Sequence, residues 1–136
     1  MRAIWVIILI FIAACASKKE VVRIEPVKTD TTATDSVEYE LIVFDTGFET
    51  WYLTNSHPSW YHSQEYYEMW NQRFVNAWNY EYNSSRYHNL LDAPINYDSN
   101  IDYGLEVNHK LFYYFQYVQH VLKIPLLSDA PHLSGY

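Results

Sequence analysis

The sequence has one cysteine, three glycines and fewer basic than acidic residues, and each scarcity excludes a class of protein. A single cysteine cannot form an intrachain disulfide, so the fold must be stabilised by its core. The glycines, at positions 47, 104 and 135, are too scattered to form a glycine-rich phosphate-binding loop. The formal net charge of −7 argues against a nucleic-acid partner and against electrostatic docking on anionic lipid.

The cysteine, Cys15, directly follows a short apolar segment. Arg2 supplies a positive charge, and residues 3–14 are all apolar. Because a membrane-spanning helix needs ~20 apolar residues, this segment is too short to span, but it has the length of the apolar region of an export signal. The run I-A-A-C that ends at Cys15 resembles the lipobox of bacterial lipoproteins. That resemblance implies cleavage before Cys15 and its acylation by palmitate-type chains.

The resemblance also predicts where the protein is located. Residues 1–14 would be a lipoprotein signal peptide, and acyl chains on Cys15 would anchor the chain to a membrane, since each buried methylene contributes ~0.8 kcal/mol. An aspartate directly after the cysteine would resemble an inner-membrane retention signal, but this position is occupied by Ala16. Lys18 and Lys19 are opposite in charge to the acidic run of surface-exported lipoproteins. We therefore expect an outer-membrane protein that faces the periplasm rather than the cell surface. The alternative to a lipoprotein is a cleaved soluble protein, or a short anchor with a spare thiol.

Residues 15–36 are predicted to be the lipidated N-terminus and a flexible tether. Residues 16–36 contain no aromatic residue and balance four bases against four acids. Such a segment has too few large apolar groups to offset the entropy lost on ordering. Val21, Val22 and Ile24 leave an alternative open, in which the segment pairs as an edge strand.

Residues 37–136 are predicted to form one domain, and all 14 tyrosines lie within it. Val37 to Phe44 alternates polar and apolar residues and then becomes apolar, which predicts a strand. The Asp-Thr-Gly sequence that follows predicts a turn with Gly47 at positive φ. Pro94 to Tyr97 is predicted to be a short second strand.

Two amphipathic helices are predicted in the same domain. Ser63 has the character of an N-cap, and apolar residues recur at three- and four-residue spacing from there to about Tyr80. A second apolar stripe begins after Asp102 and ends before Pro125. The predicted fold class is therefore α+β, with two helices packed on a small antiparallel sheet.

Residues 98–102 have the D-x-N-x-D spacing of a calcium loop, in which alternate oxygens converge on one cation. However, Tyr103 occupies the position that such a loop reserves for glycine, and His109 occupies that of the bidentate glutamate. The alternative is a polar turn whose Asx side chains bond the backbone, with Asp102 capping the next helix. We predict this turn and no metal.

Histidines suggest two further ligand sets, both incomplete. Glu106 and His109 share one face of the second helix, but a di-iron bundle needs a second such helix, so we predict a solvated face. That face carries Glu106, His109, Tyr113, Gln116 and His120. His57 and His62 flank one loop, and a zinc site would need two more ligands. We therefore predict no metal and no cofactor.

No catalytic residue is predicted. The sequence contains no G-x-S-x-G motif, and its one thiol is assigned to acylation. Asp45 and Glu49 flank the predicted turn and could act as an acid–base pair. They, or the 98–109 region, are the basis of an alternative function, a small hydrolase of an envelope glycan or peptide polymer.

Trp51, Trp60 and Tyr61 are the candidate binding residues. They are predicted to lie in the loop between the first strand and the first helix, where binding residues are frequent. Exposed aromatic groups stack on sugar rings or form protein-binding patches. The alternative is that these rings belong to a core built from half-buried tyrosine and tryptophan.

Three segments together resemble a family of small bacterial lipoproteins whose domain has no known function. They are residues 45–51 (DTGFETW), 71–79 (NQRFVNAWN) and 96–104 (NYDSNIDYG). The resemblance covers roughly residues 37–123 and implies a lipid-anchored envelope protein, with no activity or catalytic residues to carry over. We expect a non-enzymatic domain that binds another envelope component, protein or glycan.

Overall fold

The computed structural model describes residues 22–27, 37–84, 86–87, 91 and 93–133. Its fold is α+β, as predicted: the described residues form a two-stranded antiparallel sheet and three α-helices. The elements are β1 Val22–Val27, β2 Glu38–Val43, α1 Thr46–Asn55, a 3-10 turn Ser59–Tyr61, α2 Gln64–Asn83 and α3 Leu105–His120.

Most of the N-terminal predictions fall outside the described residues. This applies to the signal peptide at residues 1–14, to Cys15, and to residues 15–21 and 28–36 of the predicted tether. None of the helices in the described ranges is long and apolar enough to cross a membrane.

The predicted tether contains a strand. β1 pairs antiparallel with β2 in a register that places Val22 opposite Val43. Side chains alternate between the two faces of a strand, and on one face Val22 and Leu41 are buried in the core at 4% and 3% exposure. The prediction of a disordered tether is therefore wrong for residues 22–27, and the edge-strand alternative is confirmed there.

An unpredicted helix, α1, follows β2. Asp45 is its N-cap, and the Asp45 carboxylate accepts a hydrogen bond from the N–H of Gly47 at 2.9 Å. The predicted turn is wrong because the residue types that favour a turn also cap a helix. The predicted positive φ of Gly47 is also wrong. A Cβ atom at Gly47 would lie 2.8 Å from the Tyr117 hydroxyl, so glycine allows α1 to approach α3 closely.

Both predicted helices are confirmed. α2 begins after Ser63, whose hydroxyl accepts from the N–H of Tyr66 at 3.2 Å, and it ends at Asn83 rather than near Tyr80. α3 is the centre of the fold, because it contacts α1, α2, β2 and the 3-10 turn. Every residue from 111 to 118 is buried. The core is therefore organised around one helix.

The predicted strand at Pro94–Tyr97 is wrong, because a side chain takes the place of a neighbouring strand. The Asn79 amide nitrogen donates to the Ile95 carbonyl at 3.0 Å, and the Asn79 amide oxygen accepts from the Ile95 N–H at 2.8 Å. The Trp78 indole N–H donates to the Ala93 carbonyl at 2.9 Å. These three bonds fix the segment along α2.

Candidate functional site

The three candidate binding residues lie in two different environments. Trp51 belongs to α1 rather than to a loop, and it is 9% exposed. Its ring packs 5.5 Å from Tyr117 and 6.5 Å from Tyr113, both on α3. Trp60 and Tyr61 form the 3-10 turn and are 77% and 51% exposed. The loop position predicted for Trp51 is therefore wrong, and the exposed pair is Trp60 and Tyr61.

Tyr61 forms one side of a small cavity of about 240 Å³, which we call the histidine pocket. Its lining comes from the 3-10 turn and its flanks, α2, α3 and the 131–133 segment: His57, Tyr61, His62, Tyr66, Phe112, Tyr113, Pro131, His132 and Leu133. The His57 ring lies 4.3 Å from the Tyr61 ring, and His62 stacks on Tyr66 at 3.9 Å. Aromatic walls with a few polar groups are the usual lining of a binding pocket.

The pocket brings together His57 and His62, the pair considered as zinc ligands. Among the residues that the structure describes, no group of three or more histidine, cysteine, aspartate or glutamate side chains is arranged to hold a metal ion. Burial lowers the pKa of His62, and neighbouring His57 lowers it further. His62 is therefore neutral at pH 7 and presents an aromatic, hydrogen-bonding surface.

A buried histidine holds the 3-10 turn in place behind the pocket. His109 Nε2 lies 2.8 Å from the His57 carbonyl, and His109 Nδ1 lies 2.8 Å from the Tyr52 hydroxyl. Because a carbonyl only accepts, Nε2 carries the proton of the neutral ring and Nδ1 accepts from Tyr52. The His57 N–H donates to the Tyr113 hydroxyl at 3.0 Å. With both ring nitrogens engaged, His109 positions the turn.

Burial also keeps this network uncharged. Desolvation lowers the pKa of His109, against the opposing effects of the hydrogen bond to His57 and of the Glu106 charge. Burial raises the pKa of Tyr52 to about 12, and the Glu106 charge adds to that shift. At neutral pH, neither His109 nor Tyr52 carries charge. The hydrogen bonds that hold the backbone of His57 are therefore made by uncharged groups.

The helical face that was predicted to be solvated is buried along its middle part. His109, Tyr113 and Gln116 are 2%, 1% and 0% exposed, so the prediction is wrong for these three. Glu106 is exposed and accepts a hydrogen bond from the Ser59 hydroxyl at 2.6 Å. The missed signal is the run L-F-Y-Y-F-Q-Y-V at 111–118, in which every residue except Gln116 is apolar or aromatic. A helix with that pattern is buried all round.

The calcium-like turn is a set of Asx hydrogen bonds. Asp98 Oδ1 accepts from the backbone N–H and from the side-chain amide of Asn100, each at 2.9 Å. Asp102 Oδ1 accepts from the Gly104 N–H at 2.9 Å and from Gln64 Nε2 at 2.7 Å. The polar-turn alternative is confirmed. The predicted capping role of Asp102 is wrong, because Gly104 is the N-cap of α3, at φ 81°.

The carboxylates of the hydrolase alternative both have structural partners. Asp45 caps α1, as described above. Glu49 Oε1 pairs with Lys110 Nζ at 2.8 Å, which links α1 to α3. Both carboxylates therefore contribute to the fold, one as a helix cap and one as an ion pair. These contacts give the hydrolase alternative no support.

The chain belongs to a family of unknown function, DUF6146, which matches residues 3–130. The match includes β1 and all three helices, so it extends beyond the segments whose resemblance was noted from the sequence. No curated protein and no solved structure matches the chain. Family membership therefore carries no activity, and the function rests on the geometry of the described residues.

Proposed function

We propose that this protein is a lipid-anchored protein of the bacterial cell envelope, whose domain binds another envelope component, a protein or a glycan, without catalysing a reaction. The observation that carries the binding role is the exposure of Trp60 and of its neighbour Tyr61, which lines the histidine pocket. A tryptophan that is 77% exposed forfeits most of the stabilisation that its burial would give. Tryptophan and tyrosine also dominate the binding energy of protein interfaces.

The rigidity of the turn supports the same role. His109 and Tyr113 hold the backbone of His57, and the Ser59 hydroxyl donates to Glu106 at 2.6 Å. A surface that is already ordered loses less entropy when a partner binds. The histidine pocket, at about 240 Å³, has room for one side chain or one sugar ring of that partner.

The binding role is tested by photo-crosslinking in cells. A photo-reactive amino acid at position 60 of the full chain should give a defined crosslinked product, whose mass distinguishes a protein from a glycan. Position 80 is the matched control, because Tyr80 is also an exposed aromatic residue, at 71%. Identical products at both positions, or none at position 60, would contradict the proposal.

The lipid anchor is supported by the lipobox resemblance that ends at Cys15. Wild-type cells should incorporate labelled palmitate into the protein, and its mature N-terminus should be residue 15. The Cys15→Ser variant should lose the label and its signal processing, whereas Ala16→Ser should keep both. An unlabelled wild-type chain, or a different mature N-terminus, would refute the outer-membrane, periplasm-facing anchor.

A further inference from the structure

A second concave surface, separate from the histidine pocket, lies between the sheet, α2 and the 96–103 segment. It is an open cleft of about 520 Å³, a volume within the ~300–1,000 Å³ that is usual for small-ligand sites. Tyr39, Tyr97 and Tyr103 supply its aromatic wall, so we call it the tyrosine cleft. Ile24 of β1 adds an apolar wall. The segment predicted to be a tether thus contributes to the cleft.

The aromatic wall is held in one arrangement. Tyr103 packs edge-on against Tyr39 with ring centroids 4.9 Å apart, and 5.1 Å from Tyr97. The Tyr103 hydroxyl accepts from the Asp98 N–H at 3.0 Å. The Tyr97 hydroxyl donates to Asn108 Oδ1 at 2.8 Å. Because each ring is fixed by the fold, little entropy would be lost when a ligand binds.

The polar lining is mainly neutral. Gln72, Asn96 and Ser99 contribute amide and hydroxyl groups, and Asp98 is the one charged side chain among the described residues that line the cleft. Gln72 Oε1 is buried and has no hydrogen-bond partner within the described residues. Reversing that amide would leave its NH₂ group in the same position, so either assignment leaves a polar group unpaired. Because that atom is buried, a ligand in the cleft would reach it only after the Gln72 side chain rotates, and a hydroxyl or amide group of the ligand would then pair with it.

We propose that the tyrosine cleft binds a neutral sugar ring. A pyranose has C–H groups on its faces, which are attracted to the electron-rich face of a tyrosine, and hydroxyl groups around its edge, which pair with amides. Tyrosine rings and amide groups both line the cleft. Asp98 and the lack of a basic lining residue among the described positions disfavour phosphate and uronic acid. The proposal uses none of the residues around Trp60.

The test is calorimetric titration of the purified mature chain with neutral trisaccharides: chitotriose, cellotriose and maltotriose. At least one should bind saturably, and trigalacturonic acid should bind far more weakly because of its charge. Tyr39→Thr places a β-branched residue, which also favours strands, in β2 and should weaken binding about tenfold, the loss of one stacked ring. Circular dichroism should show that the variant is folded.

Two further variants keep the test decisive. Asn96 is exposed, so Asn96→Leu should preserve the fold and still weaken sugar binding several-fold. Tyr80→Ala, at an exposed aromatic residue outside the cleft lining, should leave sugar binding unchanged. Tyr39→Thr should leave crosslinking from position 60 unchanged, which separates this site from the proposed function. The proposal fails if no neutral trisaccharide binds, if the acidic one binds equally well, or if neither Tyr39→Thr nor Asn96→Leu weakens binding.

Discussion

Trp51 and Trp60 are close in sequence and lie in opposite environments. Trp51 is 9% exposed and packs on α3, and Trp60 is 77% exposed on the 3-10 turn. The difference arises from the backbone: Gly47 brings α1 against α3, whereas Pro58 begins a short turn that remains at the surface. An aromatic-rich domain thus uses the same residue type both to build its core and to form its exposed surface.

The largest expected effect is the difference in stability between the Trp51→Ala and Trp60→Ala variants. Trp51→Ala removes a buried ring between α1 and α3, so we expect it to lower the free energy of unfolding by about 3–5 kcal/mol. Trp60→Ala should change that free energy by less than about 0.5 kcal/mol, because the ring is mostly in solvent. Urea unfolding of both variants measures the difference. Equal destabilisation by the two variants would assign Trp60 to the core.

The parts of the fold that were predicted correctly have local signals. α2 was predictable because the Ser63 cap and the apolar spacing lie within one segment, and the Ser63 bond to Tyr66 confirms the cap. α1 has only a short helical pattern: Phe48 and Trp51 are buried three residues apart, but Leu53 is 80% exposed, so its apolar residues do not form one continuous stripe. Its position depends on contact with α3, a partner far along the chain.

The same limit applies to the candidate site and to β1. Trp60 and Tyr61 could be singled out as aromatic residues outside the helical stripes, but the histidine pocket also needs Leu133 and its neighbours, and no local pattern places those beside Tyr61.

β1 did carry a signal, since Arg23 and Glu25 alternate with apolar residues. The absence of aromatic residues from 16–36 favoured a disordered segment instead. The apolar contacts that stabilise β1 come from its pairing with β2, which the local sequence does not show.

β1 offers a second comparison of buried and exposed positions. Val22→Thr keeps the β-branched shape but places a hydroxyl in the core, so we expect a loss of about 2 kcal/mol. Val27, at 40% exposure, is the matched control, and Val27→Thr should cost less than about 0.5 kcal/mol. Chemical unfolding of the two variants compares them. Equal, negligible costs would mean that residues 22–27 do not belong to the folded domain.

A buried and an exposed histidine should differ in their effect on pH-dependent stability. The pKa of His109 is lowered in the folded protein, so the unfolded chain takes up a proton first as pH falls. The stability from neutral His109 is full above pH ~6.5, the pKa of a free histidine, and is lost as pH falls towards its folded pKa. Urea midpoints should therefore decrease from pH 7.5 to pH 5. His109→Gln, which retains a donor and an acceptor, should flatten that decrease more than His132→Gln, at an exposed site.

The smallest expected effect distinguishes a buried hydroxyl from an exposed one. Tyr113 is 1% exposed, and its hydroxyl accepts from the His57 N–H, so Tyr113→Phe leaves that N–H unpaired and should cost about 1 kcal/mol. Tyr61→Phe removes a hydroxyl from a half-exposed ring and should cost less than about 0.5 kcal/mol. Because Tyr113→Phe also loosens the backbone under the turn, it should weaken crosslinking from position 60, although Tyr113 itself is buried. If Tyr113→Phe lowers stability but leaves that crosslink unchanged, the turn does not depend on its anchor to α3, and its rigidity does not contribute to binding.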